Sequence, residues 1–128
     1  MHSSYKSKGG LARLVNAARY SMQGLAAACR HEAAFRQELL LVVALLPLAL
    51  WLGHTWLEVA LLVASLIFVL IVELINSAIE ALADKITTEH HPLIGRAKDL
   101  GSAAVLLSLA LAAIVWAGII ASHVASAV

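Results

Sequence analysis

The chain is poor in almost everything a water-soluble surface needs. Only 13% of its 128 residues are charged, against about a quarter in an ordinary soluble domain. It cannot clothe a body of this size in polar side chains. One cysteine, Cys29, is present, which excludes an intrachain disulfide and gives no thiolate set for a metal cluster. Aromatic residues make up 5% and there is no run of Lys and Arg, so no basic, aromatic-interleaved surface exists for nucleic acid. Neither G-x-x-x-x-G-K-[ST] nor a kinase glycine loop occurs, which excludes the two commonest sequence-encoded phosphate cradles. The first ten residues, "MHSSYKSKGG", are polar and read as a mobile tail. An amphipathic stretch follows them rather than a short apolar core, so no cleavable signal peptide is expected.

What the chain has is apolar length. It is 62% hydrophobic with a mean hydropathy of +0.89, and a bilayer is its natural solvent. From Leu11 the apolar residues Leu14, Val15, Ala18, Met22 and Leu25 recur at helical spacing, with Arg13, Asn16, Tyr20 and Gln23 on the other side. Residues 11–31 therefore predict an amphipathic helix lying in the membrane interface. Three stretches of membrane-crossing length follow, at residues 34–52, 56–83 and 100–123. The first contains Pro47, which a membrane helix tolerates. The expected fold is all-α and integral to the membrane, one domain of three transmembrane helices plus the N-terminal surface helix.

The basic residues set an expected orientation. All nine Lys and Arg precede Gln37 or lie between Lys85 and Lys98. The turn at residues 52–55 and the C-terminus have none. The positive-inside bias then puts the N-terminus in the cytoplasm and the C-terminus outside. Trp51 and Trp56 flank the 52–55 turn, as interfacial tryptophans do. The third span is rich in Gly, Ala and Ser, which permits close helix approach and suggests an oligomer.

Against this background the segment "VELINSAIEALADKI" (residues 72–86) stands out, because it follows the uncharged run "VALLVASLIFVLIV". At about 100° per residue, Glu73, Glu80 and Asp84 fall within roughly 40° of one another, with Asn76 about 60° away. A carboxylate inside a membrane costs about 2.5–3.5 kcal/mol or more, and such groups mark metal or proton-transfer sites by default. "RHEAAFRQE" places Glu32, Arg36 and Glu38 where the first span enters, and "GRAKDLGSAA" places Arg96, Lys98, Asp99 and Ser102 beside the third. All three clusters meet the same membrane boundary, where carboxylates suit a hard divalent cation and Lys and Arg suit phosphate. The residues alone imply an interfacial site for a divalent metal and an anion. They also leave open a proton path or a scaffold built on the same stripe. His90 and His91 read as solvent-facing loop residues, and His31, His54 and His123 as side chains at span ends. No metal is assigned to any histidine.

"HEAAFRQE", "IVELINSAIEALADKI" and "GRAKDLGSAAV" together resemble the small bacterial integral-membrane diacylglycerol kinases, over roughly residues 11–123. That resemblance implies a homotrimer in the bacterial inner membrane with active sites shared between subunits. It implies transfer of the γ-phosphate of MgATP to the primary hydroxyl of diacylglycerol, giving phosphatidate. Glu73 matches the general base and Asn76 its supporting residue. Glu32 and Glu80 match the Mg²⁺ ligands. Nucleotide contacts carry over onto Arg13, Tyr20, Glu32, Glu80, Glu89, His91, Lys98 and Asp99, and lipid contacts onto Arg13, Ser21, Met22, Trp51, Glu73 and Ser102. The family often reads Y-S-W-K-G where this chain has "YSMQG", so Met22 keeps the apolar contact without the indole N–H. A related branch phosphorylates undecaprenol and is the alternative activity.

Overall fold

The computed structural model describes residues 9–128. Residues 1–8 of the expected tail lie outside the described residues, and Gly10 already opens the first helix. There are four α-helices: α1 (Gly10–His31), α2 (Ala33–Leu52), α3 (Trp56–Ile86) and α4 (Pro92–Ala127). The last three are each long and apolar enough to cross a membrane. The described chain divides into two compact units, one ending at Glu32 and one running from Ala33 to Val128.

The first unit is α1. Its apolar residues Leu11, Leu14, Val15 and Met22 are exposed along the helix. Glu32 closes α1 in an extended conformation, its N–H donating to the Ala28 carbonyl at 3.0 Å.

In the second unit α3 is central and packs mainly on α4 and α2. The buried positions of α3 include Leu62, Leu66, Val69, Glu73, Asn76 and Ala83, spaced by alternating fours and threes and then a seven. Buried residues on α2 (Phe35, Val42, Ala49) and on α4 (Gly101, Ser108) also recur every seventh position. This repeat keeps one seam facing the neighbouring helix, as in left-handed helix pairs. Along the α3 seam the side chains change from aliphatic to polar after Val69 while the register holds. Glu73 and Asn76, the deep part of the polar stripe, thus occupy helix-packing positions. On the α4 side the contact residues are small, so the backbones come close. Trp116 on α4 donates its indole N–H to Ser65 Oγ on α3 at 3.1 Å. Ser65 in turn donates to the Leu62 carbonyl at 2.7 Å.

The helix boundaries differ from the apolar spans for local reasons. α4 begins at Pro92, eight residues before the expected span at 100. Proline needs no N–H partner in the first turn, and His91 Nδ1 accepts the Leu93 N–H at 3.1 Å as an N-cap. The polar "GRAKD" segment is therefore helix. α3 starts on a capping box: Thr55 Oγ1 accepts the Glu58 N–H at 3.2 Å while Glu58 accepts the Thr55 N–H at 3.3 Å. α2 runs as one helix through Pro47.

Candidate functional site

The site is built on the C-terminal half of α3. Glu73 and Asn76 are buried in the seam, at 5% and 8% exposure, and Glu80 is half-buried one and two turns beyond them. Glu38 on α2 lies within electrostatic reach of Glu73. Three buried polar atoms, Glu38 Oε2, Asn76 Oδ1 and Ser77 Oγ, have no hydrogen-bond partner among the described residues. Unpaired polar atoms cost heavily in a low-dielectric interior. A pair of membrane helices that carries three of them, one on α2 and two on α3, is organised for something other than its own stability. Asn76 faces Gly101 of α4, where a Cβ would collide with the Asn76 amide oxygen. Glycine at 101 is what lets α4 lie against the stripe.

Beyond Glu80 the stripe meets cations. Asp84 and Lys98 form an ion pair of 2.6 Å between α3 and α4. It is well exposed, so water screens it. The Lys98 ammonium has three donors and retains capacity for a phosphate oxygen. A cleft of about 450 Å³ opens there, lined by Asp84, Glu89, His91, Gly95 and Lys98 among others. Glu89, His91 and Lys98, all expected at the nucleotide, are thus brought together. His91 uses Nδ1 as the helix cap, which fixes its ring. Asp99 and Ser102 are exposed on α4 and do not line this cleft. Toward the other end, an apolar hollow of about 280 Å³ lies between α2, α3 and α4, with Glu38, Val69 and Trp116 in its wall.

The remaining expected residues stand elsewhere. Arg13, Tyr20, Ser21 and Met22 are exposed on α1. The Arg19 guanidinium lies over the Tyr20 ring at 5.8 Å, and Ser21 Oγ donates to the Ala17 carbonyl at 2.9 Å. Glu32 is half-buried at the end of that unit. Trp51 is 78% exposed near the C-terminus of α2, beside the turn that leads into α3. About 25 Å of α3 separates that turn from Glu73. Trp51 and Glu73 therefore stand at well-separated levels of the bundle.

The two residues expected at the metal lie in different units, Glu32 at the end of the first and Glu80 on α3 of the second. Both offer carboxylate oxygens, and Mg²⁺ is typically held by one or two carboxylates with phosphates completing the shell. Sequence reasoning missed a different group: His54, Glu58 and His123, which converge at the far end of the bundle. The S/T-x-x-E spacing of Thr55 and Glu58 was a readable signal for the cap, but nothing local announced His123.

A model of the prokaryotic diacylglycerol kinase family matches residues 19–120. The chain is 47% identical over 116 residues to the diacylglycerol kinase of Haemophilus influenzae, covering 91% of this chain and 98% of that one. It is 48% identical over 114 residues to the diacylglycerol kinase of Escherichia coli K12, covering 89% and 93%. The diacylglycerol kinase of Pseudomonas aeruginosa is 48% identical over 118 residues, covering 92% and 96%. With three helices of membrane-crossing length, this chain is a bacterial multi-pass membrane protein that belongs to the prokaryotic diacylglycerol kinase family.

Proposed function

We propose that the protein is a lipid kinase that transfers the γ-phosphate of MgATP to the primary hydroxyl of diacylglycerol. The observation that carries this reading is the single α3 face on which a buried carboxylate, Glu73, leads through Glu80 to the Asp84–Lys98 pair and its cleft. A lipid alcohol enters from the bilayer side and a nucleotide from the water side, and both reach the same helix. The family relationship supports the choice of acceptor.

In this reading Glu73 accepts the proton of the lipid hydroxyl as that oxygen forms its bond to the γ-phosphorus. The bond from phosphorus to the β,γ-bridging oxygen breaks, and ADP leaves with that electron pair. Asn76 holds the base from one turn away. Lys98, Arg13 and the Glu89–His91 loop orient the triphosphate, and Tyr20 and Asp99 contact the nucleotide. Ser21, Met22, Trp51 and Ser102 line the lipid path. Glu32 and Glu80 would hold Mg²⁺, which when bound neutralises charge on the β- and γ-phosphates. Holding the lipid hydroxyl and the phosphate on one helix face supplies proximity that a soluble alcohol cannot gain.

The exposed apolar residues of α1 suit a helix lying in the interface. The distribution of Lys and Arg supports a cytoplasmic N-terminus and 87–91 loop in the inner membrane. Three spans cannot enclose both a nucleotide and a lipid, so the working unit is an oligomer, and the family resemblance makes it a homotrimer whose subunits share each site.

The test is the initial rate of phosphate transfer from ATP to diacylglycerol, undecaprenol and glycerol, the lipids at equal mole fraction in one micelle. Diacylglycerol should be fastest and glycerol poor. Faster undecaprenol phosphorylation would move the chain to the other branch with its chemistry intact. Transfer to no lipid would overturn the kinase reading and leave a proton path or scaffold.

A further inference from the structure

The end of the bundle remote from the Asp84–Lys98 pair carries a cluster that phosphoryl transfer does not use. His54 comes from the turn before α3, Glu58 from the first turn of α3, and His123 from near the C-terminus of α4. Each places one ligand-type atom within 4.8 Å of the others. The rings of His54 and His123 are stacked, centroids 3.6 Å apart and 5° from parallel. His123 Nε2 lies 3.0 and 3.2 Å from the two Glu58 carboxylate oxygens. Glu58 Oε2 also accepts the backbone N–H groups of His54 at 2.6 Å and Thr55 at 3.3 Å.

The division of labour within Glu58 matters. Its Oε2 is anchored by the capping box, which fixes the plane of the carboxylate. Its Oε1 points at His123. Two imidazoles and an oriented carboxylate are a donor set for zinc and its neighbours. The backbone donors play the part that outer hydrogen bonds play in such sites, setting the direction of a ligand before the metal arrives. Tetrahedral coordination at about 2.0–2.2 Å brings ligand atoms to roughly 3.3 Å from one another. Two parallel rings 3.6 Å apart cannot both aim a nitrogen at one ion, so binding turns the His54 ring out of the stack, a movement for which its exposed place on the turn leaves room. Its exposure also leaves a fourth position open to water. A hard ion such as Mg²⁺ prefers an all-oxygen octahedron and is poorly served here. Glu58 is 26 residues along α3 from Asp84, roughly 39 Å, so this cluster is separate from the reaction site.

We propose that His54, Glu58 and His123 bind one divalent transition-metal ion of the Zn²⁺ class per chain, clamping the end of α4 to the turn that precedes α3. Full-length, tag-free protein in detergent is stripped with a chelator and titrated with Zn²⁺, or with Co²⁺ to read its tetrahedral visible absorption. One ion per chain is expected, unaffected by excess Mg²⁺, together with a rise in melting temperature. Losing an outer hydrogen bond alone costs such sites about 10–100-fold in affinity, so His54→Ala and His123→Ala should each weaken binding by about 100-fold or more. They should also abolish the metal-dependent rise. A His90→Ala/His91→Ala double variant should keep both. Lipid kinase activity, which resides at the other end, reports that His54→Ala and His123→Ala are folded. His54→Ala alters a turn residue and so tests the site even where His123→Ala does not fold. Binding that survives both substitutions, or Zn²⁺ binding no tighter than Mg²⁺ binding, overturns the proposal and leaves Glu58–His123 as an ion pair only.

Discussion

Gly101 on α4 lies against the amide oxygen of Asn76 on α3, closely enough that a β-carbon at position 101 would collide with it. The two helices meet at a polar residue, and their approach depends on a missing side chain. Gly101→Ala gains about 1 kcal/mol of helix propensity but overpacks a buried contact, which typically costs about 1–3 kcal/mol. The expected outcome is a lower melting temperature and a reduced turnover, because Asn76 must leave its place beside Glu73. Adding Asn76→Ala removes the obstacle. The double variant should recover melting temperature but not turnover. Equal stability of Gly101→Ala and the parent would show that the seam is looser than its packing indicates.

Glu73→Gln keeps the size and hydrogen-bonding reach of the side chain and removes only its capacity to take a proton. Loss of a general base typically costs about 10²–10⁴-fold. Turnover should fall in that range while the Michaelis constant for MgATP changes little, since Glu73 is buried in the seam away from the cleft that holds Lys98. Wild-type turnover in this variant would remove Glu73 from the mechanism.

Glu32→Gln and Glu80→Gln should act through the metal. Each withdraws one charged oxygen from a cation held by few ligands. Activity should drop in both, and rising Mg²⁺ should restore part of it in at least one. Mg²⁺ titrations of rate that superimpose on the parent curve for both variants would dissociate these residues from the ion.

Mixing subunits tests whether sites are shared. Glu73→Gln and Arg13→Ala are each expected to be inactive. Co-reconstituted, some mixed assemblies would carry an intact Arg13 opposite an intact Glu73, and activity should return. Mixed oligomers shown to form without any rescue would place each complete site within one chain.

The parts of the molecule that were legible in the sequence are those governed by local periodicity. Glu73, Asn76 and Glu80 share a face because a helix turns about 100° per residue, and no tertiary knowledge is needed to see it. The start of α4 was not legible, because hydropathy marks where lipid begins and a helix begins where its first N–H groups are satisfied. Pro92 and the His91 cap settle that eight residues earlier. The partners across helices were out of reach for another reason. Asp84 with Lys98, Ser65 with Trp116, and Glu58 with His123 depend on the register in which α3 and α4 run past each other. That register is fixed by which small residues of α4 meet the α3 seam, a property of two sequences together.

The capping box at Thr55 makes one end of the bundle self-sufficient. Only three residues, Gly53 to Thr55, join α2 to α3, so the two helices form a tight hairpin. The one carboxylate near its tip, Glu58, is already bound to the N–H groups of His54 and Thr55. Those bonds span at most four residues and form without any other helix in place. The tip of the hairpin thus takes its shape, and satisfies part of its one charge, from neighbouring residues alone, whatever α4 does.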